Sequence, residues 1–139
     1  MSEPQQRDLL TGHWRKVKRH DPSEVQLQIS LIEHLRWRAR PDVVYFHVPN
    51  GELRDKASAA KLKAMGTLPG VSDLVFVWFD LNTRELRNLY LELKAHGRKL
   101  APEQHNFCAA IIAAGAAYEW TDNIDDALAI CSKHNLLKR

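Results

Sequence analysis

The segment Leu89-Tyr90-Leu91-Glu92-Leu93-Lys94 constrains this chain more than any other. Successive side chains of an extended strand point to opposite faces, so Leu89, Leu91 and Leu93 share one face and Tyr90, Glu92 and Lys94 the other. Three leucines in register demand an apolar layer against them. The opposite face then carries a carboxylate and an ammonium two residues apart, inside a segment otherwise built for burial.

The rest of the chain supplies the partners such a strand needs. Residues 23–38 read as a helix with Asp21 or Ser23 as its cap, and 43–48 as a strand stopped by Pro49-Asn50-Gly51. Residues 55–65 read as a helix ending at Gly66. A second strand is expected at 73–79, a loop at 80–87 and the third strand at 88–94. Gly97 breaks the chain, Pro102 opens a helix to about 114 that Gly115 closes, and a strand at 117–120 and a helix at 124–134 follow. The order α-β-α-β-β-α-β-α predicts the α/β class, with one mixed sheet flanked by helices. At 139 residues this is one domain, expected over 21–139, preceded by an arm at 1–20.

Composition narrows the class. With 45% apolar and 27% charged residues the chain matches ordinary globular proteins. Its long apolar run, Leu74-Val75-Phe76-Val77-Trp78-Phe79, falls far short of the roughly 20 residues that span a bilayer. The first residues lack the apolar stretch of a secretion signal, so no membrane partner and a cytoplasmic location are expected. The net charge of +3 is concentrated in the arm, where Arg7, Arg15, Lys16, Lys18 and Arg19 face only Glu3 and Asp8. Such an arm suits phosphate contacts, and equally a solvated tail. Cys108 and Cys131 both fall in helical segments and read as small buried hydrophobes, not as a disulfide or zinc framework. There is no Gly-rich phosphate loop and no Ser/His/Asp arrangement.

Several polar residues stand where apolar ones are expected. Leu27, Leu31 and Leu35 form a helical stripe, and Glu24 and Gln28 fall on it. In the helix after Pro102, Phe107, Cys108, Ile111, Ile112 and Gly115 define an inner face with Gln104 at its N-terminal end. A hairpin with Phe79 opposite Asn88 sets Asp73 opposite Lys94 and Val75 opposite Glu92, so that Asp73, Glu92 and Lys94 converge on one face. A slip of one residue would send Asp73 to the other face. On the residues alone two readings stay open. One is a solvated strand face, with a first-turn Glu24 favoured by the helix dipole. The other is a carboxylate cluster around a cation, since acids so close repel and take up protons unless a cation sits among them. Oxygen donors of this kind suit Mg²⁺, with Mn²⁺ as the alternative.

Asn50-Gly51, Leu62-Lys63-Ala64-Met65-Gly66, Gly70-Val71-Ser72-Asp73, Glu92-Leu93-Lys94 and Gln104 occur in the order seen in one nuclease family. From about Glu24 to Leu128 the sequence resembles the virus-type replication-repair nuclease domain, VRR-NUC, of the PD-(D/E)xK nuclease superfamily. The resemblance implies a restriction-endonuclease-like core, a mixed four-stranded sheet flanked by helices. It implies that Asp73 and Glu92 hold metal, joined by Glu24 and the backbone carbonyl of Leu93. Lys94 would stand beside the attacking water, and Gln104 would position Lys94 or that water. Ser72 departs from the pattern, standing where proline is usual, at a position that shapes backbone.

The activity implied is Mg²⁺-dependent hydrolysis of DNA phosphodiester bonds. Structure-selective action on branched DNA, such as Holliday junctions or flaps, in replication, repair or recombination is expected, and for some members action as a homodimer. The location is then the cytoplasm, nucleoid or host-cell interior. Asn50, Arg54, Lys61, Lys63, Arg98 and Lys99 are the candidates for contacting the DNA backbone. His47 either faces the site or is an ordinary strand residue. The rival readings are a sequence-specific restriction-type endonuclease and a non-catalytic DNA-binding module with a degenerate site. Short length weighs against the first, and the joint presence of Asp73, Glu92 and Lys94 against the second.

Overall fold

The structure, a computed structural model, describes residues 5–7, 14–16, 23–49 and 56–139. Two short strands, β1 (Gln5–Arg7) and β2 (Trp14–Lys16), pair antiparallel within the basic N-terminal segment. At three residues each they are too short to leave an alternating pattern in the sequence. The rest of that segment, and Asn50 and Arg54, lie outside the described residues.

Helix α1 (Glu24–Arg38) begins at a reciprocal cap. Ser23 Oγ accepts the Gln26 N–H at 3.2 Å, and Gln26 Oε1 accepts the Ser23 N–H at 3.0 Å. Its stripe of Leu27, Leu31 and Leu35 is buried, each side chain contributing roughly 2 kcal/mol of transfer free energy. Strand β3 (Val44–His47) follows, then α2 (Lys56–Ala64), which buries none of its residues. The hairpin of β4 (Leu74–Asp80) and β5 (Glu85–Leu93) comes next, followed by α3 (Pro102–Ala113), β6 (Ala117–Thr121) and α4 (Ile124–Lys133).

The four-stranded sheet runs β3-β4-β5-β6, with β5 and β6 parallel and the other pairs antiparallel. This is the mixed, helix-flanked α/β sheet expected. The hairpin loop is shorter than expected, however, because β5 starts at Glu85 instead of near 88. Asp80 Oδ1 accepts the Asn82 N–H at 2.9 Å and Arg84 takes a left-handed φ of 57°, closing the turn within 81–84.

The shorter turn corrects the pairing register by two residues. Phe79 faces Leu86, and Asn88 faces Val77. Continued one step past Leu74↔Leu91, this register sets Asp73 opposite Glu92, not Lys94. An even shift preserves the sheet face, so Asp73 stays on the side of Glu92 and Lys94.

The leucine face of β5 is covered by α1 and α4. Leu89, Leu91 and Leu93 pack there with Leu74, Phe76 and Trp78 of β4, the α1 stripe, and Ala127, Ile130 and Cys131 of α4. The C-terminal segment closes this layer: Leu136 is fully buried, and Leu137 bridges to Ala39. The other face is covered in part by α3, where the Phe107 ring meets Tyr90 at 5.7 Å and Tyr118 at 6.3 Å between centroids. Phe107, Cys108 and Ile111 are half-buried, but Ile112 is exposed, as is Gly115; no α3 residue is fully buried. The expected inner face is therefore narrower, and of the two cysteines only Cys131 is buried. No helix among the described residues is long and apolar enough to cross a membrane.

Candidate active site

Where β4 begins and β5 ends, three elements bring ionisable side chains together. Asp73 sits one residue before β4 and is held on two sides. Its Oδ2 accepts the Leu93 N–H at 2.8 Å. Its carbonyl accepts the Val48 N–H at 3.0 Å and lies 2.7 Å from His47 Nδ1. The His47 side chain thus meets the backbone of Asp73; by register it points to the leucine face with Leu74.

Glu92 is only 3% exposed, and Lys94, directly after β5, is 9% exposed. Glu92 Oε1 accepts from Gln104 Nε2 at 2.6 Å and lies 3.8 Å from Lys94 Nζ. Its other oxygen, Oε2, is buried and has no hydrogen-bond partner. Glu24, at the first position of α1, approaches the same ammonium at 4.0 Å and accepts the Ala95 N–H at 3.4 Å. Its side chain is half exposed and does not belong to the buried stripe. Leu93 contributes backbone, its side chain being fully buried in the core.

Gln104 has a local reason for its aim. At the start of α3 its Oε1 accepts the Ala101 N–H at 2.8 Å, a donor that the helix itself leaves without a partner. That bond turns the amide nitrogen toward Glu92. Gly70 locks the same helix end to the loop that leads to Asp73. A Cβ on Gly70 would stand 2.3 Å from the Glu103 carbonyl oxygen, and its φ of +78° is left-handed. One close contact therefore sets the spacing between Asp73 and Gln104.

Burial dominates the electrostatics. It pushes the Asp73 carboxyl above its ordinary range, with the Leu93 N–H opposing and Glu24 adding to the rise. Glu92 is pushed up to about 8, first by burial, then by the Asp73 charge, against the pull of Lys94. Two carboxylates, one ammonium and one amide thus share a half-buried to buried cluster, where each charge depends on its neighbours. Among the described residues, no group of three or more His, Cys, Asp or Glu is arranged to hold a metal ion.

The structure thus brings together Glu24, Asp73, Glu92, Lys94 and Gln104. Lys61 and Lys63 are exposed on α2, and Arg98 and Lys99 are exposed on the loop that follows Lys94. That loop is anchored by the Gly97 N–H, which donates to Asp122 Oδ2 at 2.9 Å. A cavity of about 880 Å³ lies elsewhere, lined by Trp78, Asn88 and His134 toward the opposite end of the hairpin. Of the cations that line it, Arg40, Arg87 and Lys133 are paired with Asp42, Glu85 and Glu119, and Arg139 lines it as well.

No protein-family model matches the sequence, and no curated protein matches it. Among solved structures the chain is similar to a VRR_NUC domain protein, with a TM-score of 0.62 over 81% of this chain and 87% of that one, at 19% identity. The fold is VRR-NUC-like. The polar cluster of this VRR-NUC-like domain also holds two residues that the sequence reading gave no chemical role. The Ser72 and Tyr118 hydroxyls are buried without hydrogen-bond partners, as is Glu92 Oε2. Alternation in Ala117-Tyr118-Glu119-Trp120, combined with a parallel pairing to β5, was the signal that would have placed Tyr118 on the Glu92 face.

Proposed function

We propose that this domain is a divalent-metal-dependent deoxyribonuclease that hydrolyses phosphodiester bonds. The observation that carries the reading is the Lys94 ammonium, held 3.8 Å from a nearly buried Glu92 on the face it shares with Asp73. A half-buried Asp73 beside a buried Glu92, both with raised proton affinity, fits a cation, and so does Glu92 Oε2, an acceptor with no partner. Asp73 and Glu92 would hold Mg²⁺, or Mn²⁺, with the Leu93 carbonyl; Glu24 would join through a change of side-chain rotamer. The donors are all oxygen, and Mg²⁺ ordinarily keeps several waters beside one or two carboxylates. The ion would supply Lewis-acid stabilisation of the phosphate and a lowered pKa for bound water.

The chain's own residues then divide the work. Lys94 orients the attacking water and offsets charge developing on the phosphate oxygens. Gln104 fixes the Glu92 carboxylate, and Glu24 lies 4.0 Å from the ammonium until it turns to the ion. Lys61, Lys63, Arg98 and Lys99 would contact the DNA backbone, as would Asn50 and Arg54. Branched DNA in replication, repair or recombination is the substrate class of this reading. A homodimer is its assembly, favoured by apolar residues left exposed on the sheet, Val44 and Phe46 among them.

The test is cleavage of junction, flap, duplex and single-stranded DNAs in Mg²⁺, Mn²⁺ and EDTA. Lys94→Ala and Asp73→Ala should each lower kcat by about 100-fold or more, as loss of a transition-state contact does. Their binding of DNA should persist. Cleavage that survives EDTA or both substitutions would overturn the proposal, and binding without cleavage would favour the non-catalytic module.

A further inference from the structure

Three buried polar atoms around the acid pair have no hydrogen-bond partner: Ser72 Oγ, Tyr118 Oη and Glu92 Oε2. Among buried groups such orphans are rare and costly while unmatched. Their chemistry is complementary, since two are hydroxyls able to donate and the third is a carboxylate oxygen.

The fold brings their residues to the same end of the sheet. In the parallel ladder Tyr118 faces Tyr90 and Trp120 faces Glu92, so Tyr118 and Glu92 are diagonal neighbours on one sheet face. Phe107 of α3 packs edge-on against the Tyr118 ring and limits where the phenol can point. Ser72 is fully buried and directly precedes Asp73.

We propose that Tyr118 and Ser72 are positioning residues that present Glu92 to a divalent cation, the Tyr118 hydroxyl donating toward Oε2 and the Ser72 hydroxyl toward Tyr118 Oη, while Gln104 holds Oε1. A carboxylate oxygen accepts more than one contact, so a hydrogen-bonded Oε2 keeps a lone pair for the cation. The hydroxyl at position 72, where the resemblance leads one to expect proline, thereby acquires a role. This inference rests on the metal-nuclease reading above and assigns its pocket two further members.

The experiment uses the full chain and titrates Mn²⁺ by calorimetry, without DNA, into wild type, Tyr118→Phe and Ser72→Ala. Tyr118→Phe removes one oxygen and keeps the ring against Phe107. The Mn²⁺ Kd should rise about tenfold in Tyr118→Phe, the low end for partners that orient a metal ligand, and less in Ser72→Ala. In cleavage assays Tyr118→Phe should lower kcat at limiting metal and recover it at high metal, with KM for DNA unchanged. A purely structural role would lower Tm and leave the Mn²⁺ Kd alone. If wild type binds Mn²⁺ and cuts while Tyr118→Phe binds it equally well, the positioning role is overturned and the nuclease reading stands. If wild type neither binds Mn²⁺ nor cuts, both are overturned.

Discussion

At the scale of single residues, Glu92 turns burial into pH dependence. Its proton affinity is raised from an ordinary 4.5 to about 8, so between those values the metal-free folded chain holds more protons on this group than the unfolded chain. Stability must therefore fall as pH rises through that window, and level off above it. Urea unfolding of metal-free protein should show a lower midpoint at pH 8.5 than at pH 6 from this contribution. Glu92→Gln, which keeps the shape and loses the charge, should flatten most of the slope. An equal slope in both proteins would show that Glu92 is ionised throughout. Glu92 and Lys94 were legible in the sequence because strand alternation is a local property. Their depth was not, since it depends on α3 and α1 arriving from residues far away in the chain.

At the scale of elements, the contact between the Gly70 loop and the start of α3 holds the site's geometry. Gly70→Ala would drive a methyl into the Glu103 carbonyl at 2.3 Å, in a left-handed conformation, with backbone and not a flexible side chain in the way. A loss of about 2–3 kcal/mol is expected, from strain and overpacking together. Gly66→Ala supplies the control: its φ is +97° but nothing lies within 4 Å of the added carbon. It should cost only about 1 kcal/mol, the strain alone. Denaturant midpoints measure the difference, and equal losses would mean that the Gly70 contact adds nothing. Element types were well marked by caps, turns and periodicity, as with Ser23, Gly66 and Pro102. The hairpin register was not, because turn length is set by how Asp80 and Arg84 close the loop.

At the scale of the whole molecule, α3 covers only part of its sheet face. By register Val44, Phe46, Phe79 and Leu86 lie on that face, and all four are exposed. If the homodimer of the proposed function forms there, light scattering over a concentration series should report twice the chain mass. Phe46→Glu would then shift the population to monomer. A wild type that remains monomeric at every concentration removes the dimer from the reading.

The alternating leucines of 89–93, together with an acid and a lysine on the opposite face, were determined by sequence alone, because a strand's period depends only on its own backbone. So were the helix stripe of Leu27, Leu31 and Leu35 and the order of the elements from α1 onward. Tertiary structure decided the rest. It set Asp73 opposite Glu92 instead of Lys94, left Glu24 half exposed, and exposed Ile112. It also buried the Ser72 hydroxyl and set Tyr118 on the Glu92 face. The physical reason is the same in each case: periodicity assigns a side chain to a face, whereas burial and partners depend on which segments, distant in sequence, close over it.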